Sequence, residues 1–420
     1  MQTAEIHHLE FILLFVMALV VALAVLARRF QTPYPIVLVV GGLAVSLVPH
    51  VPRVGLNPDV VFLVLLPPLL FAAAFHASWR DLRRHLTKIS MMAFGLVGFT
   101  VAAVAFFTGW LLPNFDHRSG FVLGALVAST DAIAATAIAK RMNLPSRIAN
   151  VLEGESLLND ATSLLALEFS TSMLVSNEVP TLGGGALRLL YLSVAGVLFG
   201  LLAGWVIRWC QHRLNDAPIE ITLTLLAPYI AFVTAESVNG SGVLATVACG
   251  LYLGEKRSEA LSERARVEVS AVWNTLDFVL NGIVFALIGL QLPQVLAAIR
   301  NVHIDELLLD AVLLVALLIV LRLVWVFAAS WIGFALRRIA GRPGARPRTN
   351  ETFFVGWTGM RGVIALAAAM ALPEVVDTGA AFPQRAILIF LSFAAILATL
   401  VGQGLSLPWV IGKLQLREGA

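Results

Sequence analysis

Charged residues are scarce in this chain: they make up 13 % of its 420 residues, about half the roughly 25 % typical of a soluble domain. With 59 % hydrophobic residues and a mean hydropathy of +0.87, that shortage excludes a water-soluble globular protein and leaves a polytopic membrane protein. Cysteine is almost absent. Cys210 and Cys249 both fall within or at the edge of apolar stretches, which argues against a disulfide framework or a thiolate metal cluster. None of the eight histidines (7, 8, 50, 76, 85, 117, 212 and 303) lies near the middle of an apolar stretch, which weakens an imidazole proton relay or a His-ligated metal. Long polar stretches are missing as well. The longest loop, RRIAGRPGARPRT, is a basic Pro/Gly linker, so no soluble C-terminal domain is expected and residues 1–420 read as a single transmembrane domain.

What is present is a succession of apolar segments. Thirteen spans are expected near 9–27, 33–49, 58–76, 89–112, 119–140, 147–176, 187–210, 219–237, 241–255, 268–292, 307–336, 351–373 and 384–413. Several exceed the roughly 20 residues needed to cross a bilayer, so tilting or overhang is expected. Placing the N-terminus outside puts 22 of the 29 basic residues in cytoplasmic segments. Only Arg53, Arg118, Arg188, Arg300 and Arg385 lie outside, and Arg322 and Arg361 lie within spans. The bias of lysine and arginine to the cytoplasmic side therefore fixes an N-out, C-in topology. It also explains the net charge of +3 and pI near 9.1 without a nucleic-acid partner. The first apolar stretch has Glu5 and Glu10 before it and Arg28 and Arg29 after it, the reverse of a cleavable signal peptide.

Thirteen spans permit an inverted repeat: spans 1–6, a linking span 7, then spans 8–13. Span 5 then runs inward and its counterpart, span 12, outward. Transporters commonly bring interrupted helices of such repeats together at the midplane. Span 12 carries Gly356, Gly359 and Gly362 in VGWTGMRGVIALA, which read as helix breakers. Span 5, LVASTDAIAATAI, has no central Gly or Pro, and a break there rests only on Ser129, Thr130 and Asp131. Gly196, Gly200 and Gly204 form a small-residue face on span 7 suited to packing within the protomer or to a dimer contact.

Asp160 stands in VLEGESLLNDATSLLALEF, about thirteen residues into span 6, and Asp131 about twelve residues into span 5. At 1.5 Å per residue both sit near the midplane. A carboxylate there costs several kcal/mol, by about 2.5–3.5 on insertion scales, and marks an ion or proton site. Ser156 and Asp160, four residues apart, share a helix face, and Glu155 and Asn159 share the adjoining one. A hard monovalent cation wants oxygen ligands, and Asp131, Asp160, Thr130, Ser156 and carbonyls freed at a break supply them. The alternative, that these acids only pair with Arg322 and Arg361, leaves acids over, since three acids face two arginines. For Glu155 a buried pair with those arginines, joining spans 6, 11 and 12, is the favoured role, and Arg322 also balances the carboxylates when no cation is bound. Glu168, Glu220, Glu236 and Asp277 lack a cluster and read as structural.

The segments ASTDAIAATAI, EGESLLNDATSLL, LPPLLF, FVLNGIVFALIGLQL and GMRGVIALAAAMALP resemble the monovalent cation:proton antiporter-1 family, which includes NhaP-type and NHE-type exchangers. The resemblance runs over essentially the whole chain. It implies an all-α fold with interrupted, crossing spans 5 and 12, and a homodimer. A mobile core (89–176 and 307–413) would move against dimerisation and scaffold spans (9–76 and 187–292). It also implies that Asp160 carries the cation and the proton, that Thr130, Asp131 and Ser156 are co-ligands, and that Asn159 orients the site. Glu155, Arg322 and Arg361 would hold it together. One departure is Ala72, four residues after the second Pro of LPP, where some relatives carry an acid.

The function expected is exchange of Na⁺, with Li⁺ as surrogate, for H⁺ by alternating access. It would be electroneutral because Asn159 is neutral where a second carboxylate might carry another proton. K⁺/H⁺ exchange and a gated cation channel are the alternatives. No cofactor is expected. An intramembrane hydrolase built on Ser241 in NGSGV lacks a membrane-centred base. The setting expected is a prokaryotic plasma (inner) membrane.

Overall fold

A computed structural model describes residues 2–49, 51, 58–111, 115–142, 144–176, 182–214, 216–300, 303–339, 341 and 346–416. Helices stand at all thirteen positions that hydropathy and charge alternation mark out, and among the described residues nine are long and apolar enough to cross a membrane. Spans 1 and 2 are Gln2–Arg29 and Tyr34–Ser46; span 3 is Pro58–His76; span 4 runs over 79–111. Span 5 is split into His117–Ala128 and Ile133–Arg141, and span 6 is the continuous Ser146–Val175. Spans 7 to 11 are Leu182–Leu214, Ala217–Glu236, Gly242–Ala260, Glu263–Leu290 and Ile304–Ile339. Span 12 is split into Thr349–Trp357 and Val363–Met370, and span 13 is Arg385–Leu414. Both interruptions fall where the sequence places them, at 129–132 and 358–362.

Lipid-facing and interior spans separate by burial. In the apolar window of span 5, 78 % of residues are buried inside the protein, against 22 % for span 1. Polar helix starts are closed locally. The side chains of Asp216, Ser241 and Ser262 accept the N–H groups of Ile219, Leu244 and Ala265, a normal N-cap arrangement. Ser241 is thus the cap of span 9.

Spans 4, 5 and 6 pack on one another and spans 11, 12 and 13 close around them, whereas spans 7, 8 and 9 form a second packed group with span 3. Span 10 packs along span 2. An apolar cluster of Phe71, Phe75 and Trp273 joins span 10 to the second group, with Trp273 donating its indole N–H to Thr224 Oγ1 at 3.2 Å. Ala72 belongs to this cluster, so the position that is acidic in some relatives is here part of an apolar seam.

The glycine face of span 7 meets span 9. A Cβ on Gly196 would lie 2.5 Å from the carbonyl oxygen of Ser241, one on Gly200 would collide with Ala245, and one on Gly204 would meet Tyr252 at 3.0 Å. That face therefore serves packing within the protomer. In span 4 a wide turn, Met91–Leu96, interrupts the regular helix. The freed carbonyl of Met91 accepts the Trp325 indole N–H at 3.0 Å, and Gly95 leaves room for that ring. Gly200→Val should push span 7 off span 9 at a cost of about 1–3 kcal/mol. A lowered melting temperature of the purified protein checks this, with Gly183→Val, which meets nothing nearby, as the neutral control.

Candidate ion-binding site

The two interruptions cross. The backbone N–H of Asp131 donates to the carbonyl of Met360 at 2.8 Å, which ties one break to the other. The first half of span 5 packs on the second half of span 12, as two spans running in opposite directions require. Gly362 permits the approach, because a Cβ there would sit 2.7 Å from that of Asp131. Gly359 makes room for the Arg322 side chain and Gly356 for Leu323. None of the three has a positive φ. Their role is space rather than the conformational freedom of a breaker.

Both broken ends of span 5 have partners. The half-helix His117–Ala128 ends in the carbonyls of Ala128 and Ser129, and the Arg361 guanidinium donates Nη1 to both at 3.3 Å. A cation at a helix C-terminus also opposes the negative end of its dipole. The second half-helix begins with Ile133, whose N–H goes to Asp131 Oδ1 at 2.7 Å, and the preceding N–H, of Ala132, goes to Ser156 Oγ at 3.3 Å. The Arg361 N–H is taken by Thr399 Oγ1 at 3.0 Å. Arg361 was expected to pair with Glu155. Among the described residues it instead serves the broken end of span 5, because bare carbonyls at that depth compete for a donor.

Span 6 lays its polar face against this crossing. Ser129 Oγ donates to Asp160 Oδ1, and the Asp160 side chain is buried, 8 % exposed. Asp131 and Glu155 are its charged neighbours. On the adjoining face Glu155 accepts both arms of Arg322, Oε1 at 2.6 Å and Oε2 at 3.1 Å, with the two residues 1 % and 2 % exposed. Arg322 also donates Nε and Nη2 to the Val355 carbonyl at 3.3 and 3.2 Å. One guanidinium thus joins spans 6, 11 and 12. Thr130 belongs to this network: its hydroxyl donates to Glu155 Oε1 at 3.2 Å and accepts from Asn159 Nδ2 at 2.6 Å. Asn159 Oδ1 is buried without a hydrogen-bond partner among the described residues.

The sequence-derived residues therefore fall into two groups. Asp160, Asp131 and Ser156 line the crossing. Thr130, Asn159, Glu155 and Arg322 form the brace behind it. Ser129, not Thr130, is the hydroxyl on Asp160. Thr130 and Ser129 stand in a non-helical stretch, where helical spacing does not tell which way each side chain turns. The Val355 and Met360 carbonyls and the Thr399 hydroxyl carry no signal in the sequence either. The remaining acids have local partners: Glu168 pairs with Arg188 at 2.9 Å, Glu220 accepts the N–H and hydroxyl of Ser262, and Glu236 accepts the Gly242 N–H. Asp277 accepts Asn281 Nδ2 at 2.9 Å and is a charged neighbour of Asp131.

A family model described as sodium/hydrogen exchanger, transmembrane, matches residues 15–413. The chain belongs to the sodium/hydrogen exchanger family. An uncharacterised Na⁺/H⁺ exchanger of Mycobacterium tuberculosis is 33 % identical over 418 residues, covering 98 % of this chain and 76 % of the relative. A sodium, potassium, lithium and rubidium/H⁺ antiporter of Bacillus subtilis is 29 % identical, covering 95 % of this chain and 61 % of that one. Among solved structures, the sodium proton antiporter MjNhaP1 of Methanocaldococcus jannaschii superposes with a TM-score of 0.76 at 18 % identity, covering 98 % of this exchanger and 99 % of that chain. At that identity the likeness concerns the fold, which is the crossed, interrupted helical architecture described above.

Within this exchanger the Glu155–Arg322 brace is testable on stability. Glu155→Gln leaves a buried guanidinium without its counter-charge, at an expected cost of about 3–5 kcal/mol. The melting temperature in detergent should drop sharply and recover in part in the Glu155→Gln, Arg322→Gln double variant. An unchanged melt in the single variant would show that the pair is not a brace.

Proposed function

We propose that this chain is a secondary antiporter that exchanges Na⁺ for H⁺ by alternating access, with Asp160 as the shared carrier of both ions. The observation that carries this reading is a buried carboxylate at the crossing of two broken spans. It is held by one serine hydroxyl and not neutralised by either buried arginine, since Arg322 is taken by Glu155 and Arg361 by carbonyls. A bare carboxylate in a dry site is costly. Binding a proton or a cation removes that cost, and only one of the two fits on the same oxygens.

Competition then produces coupling. The loaded carrier, protonated or cation-bound, is near electrical balance and crosses; the empty, charged carrier crosses reluctantly. Ser129, Ser156 and the free oxygen of Asp131 complete an oxygen ligand set for a hard monovalent cation. Asn159 adds a dipole without a charge, so one proton exchanges for one cation. The moving part is the group of spans 4–6 and 11–13, which the Glu155–Arg322–Val355 brace makes rigid. Spans 1–3 and 7–10 form the scaffold. A cavity of about 770 Å³ between the later half of span 6 and spans 3, 7, 8 and 9 leaves room for sliding. The apolar outer face of span 7, with Leu190, Val194, Leu198 and Trp205 exposed, suits a second copy of the chain in a homodimer. This exchanger would serve sodium transport and pH homeostasis in a plasma membrane, N-terminus outside.

In inside-out vesicles, Na⁺ and Li⁺ should collapse an imposed proton gradient more strongly than K⁺. Asp160→Asn should abolish the response while still inserting and dimerising. Because the ions compete, the apparent KM for Na⁺ should rise in proportion to proton concentration on the acidic side of the pH profile. A KM independent of pH there would remove the shared carrier. In sealed liposomes voltage alone should drive no steady exchange, and a voltage-driven flux would contradict the one-for-one stoichiometry. Ohmic cation current without proton movement would identify a channel instead.

A further inference from the structure

On the side assigned to the cytoplasm, spans 4, 6, 11 and 12 leave a crevice of about 330 Å³, separate from the ion site. Its inner wall is apolar, made by Met91, Met92, Val151, Val326 and Phe334. Its rim is basic: Lys88, Arg337, Arg346 and Arg348 stand around the one acid, Glu351. Arg348 reaches Glu351 at 3.3 Å. Arg337 and Arg346 are exposed and have no carboxylate partner among the described residues.

The levels of the two surfaces matter. Lys88 lies in the last turn of Trp79–Ser90, beside the start of the apolar stretch Thr87–Trp110 of span 4, and Arg337 in the last turn of Ile304–Ile339. The apolar wall lies directly inward of these charges, partly on the wide turn of span 4. The ligand that matches is one with a compact anion at headgroup depth and an apolar body below it. Basic pockets between spans on the cytoplasmic side hold anionic headgroups by this arrangement. We propose that the crevice binds the phosphodiester of an anionic phospholipid from the inner leaflet, with Arg337 and Arg346 on the phosphate and the acyl chains along the Met91–Val326 wall. Val355 also lines the crevice and takes Arg322 on its carbonyl, while the Met91 carbonyl takes Trp325. A seated lipid therefore clamps the four spans that surround the Glu155–Arg322 brace.

The test is native mass spectrometry of the full chain in neutral detergent, titrated with phosphatidylglycerol or with phosphatidylcholine of the same acyl chains. Phosphatidylglycerol adducts should persist at concentrations where phosphatidylcholine adducts do not. Arg337→Gln with Arg346→Gln should weaken phosphatidylglycerol binding on the order of tenfold or more, whereas Arg257→Gln with Arg266→Gln, elsewhere on the same face, should not. Ser330→Trp, which fills the crevice without altering a charge, should weaken binding as well. Unchanged phosphatidylglycerol affinity in both crevice variants would overturn the site. Displacement of phosphatidylglycerol by equal concentrations of inorganic phosphate or glycerol phosphate would make it a free-phosphate site and overturn the lipid assignment.

Discussion

Backbone groups released inside a bilayer find no water, so each must be satisfied within the protein, and the centre of this exchanger is arranged around that demand. Breaking spans 5 and 12 frees carbonyls at one end of each gap and N–H groups at the other. Arg361 takes the carbonyls of Ala128 and Ser129, Asp131 and Ser156 take the N–H groups of Ile133 and Ala132, and the Asp131 N–H meets the Met360 carbonyl. Arg361 spends its hydrogen bonds on backbone in this way, and Arg322 on Glu155 and Val355. Among the described residues Asp160 is left with a serine hydroxyl and no paired arginine.

The Glu155–Arg322 pair solves a different problem. A buried ion pair is a weak source of net stability, because desolvation offsets much of its attraction. Its value here is geometric: it fixes span 6 against spans 11 and 12 while the Thr130 hydroxyl is fastened to the same Glu155 oxygen and Asn159 to that hydroxyl. A carrier that relocates a charge across a membrane needs its ligands to travel together. In the proposed mechanism the brace would supply that without occupying the site, since its charges cancel among themselves.

Much of this was legible in the sequence, and the physical reasons are specific. Thirteen spans emerge from apolar length and alternating basic loops, and even the broken spans obey that alternation. Asp160 stands out because a lone acid in VLEGESLLNDATSLLALEF has no solvated explanation. The Glu155–Arg322 pair follows from two opposite charges at bilayer depth on different spans. What stayed hidden depends on backbone or on rotation in irregular chain. Ser129 and Thr130 are neighbours, and only the fold decides that Ser129 faces the ion site. Arg361 reads as an ion-pair partner until its acceptors prove to be carbonyls. Gly356, Gly359 and Gly362 read as breakers, yet they chiefly admit Leu323, Arg322 and Asp131.

In the proposed mechanism a single carboxyl group, that of Asp160, holds either Na⁺ or H⁺. Calorimetric Na⁺ titration of the purified protein in buffers of different ionisation enthalpy measures the protons released per cation bound. A shared carrier displaces about one proton for each Na⁺ on the acidic side of the titration range, and Asp160→Asn should show neither heat nor proton release. Cation binding without proton release, or release that survives the substitution, would contradict it.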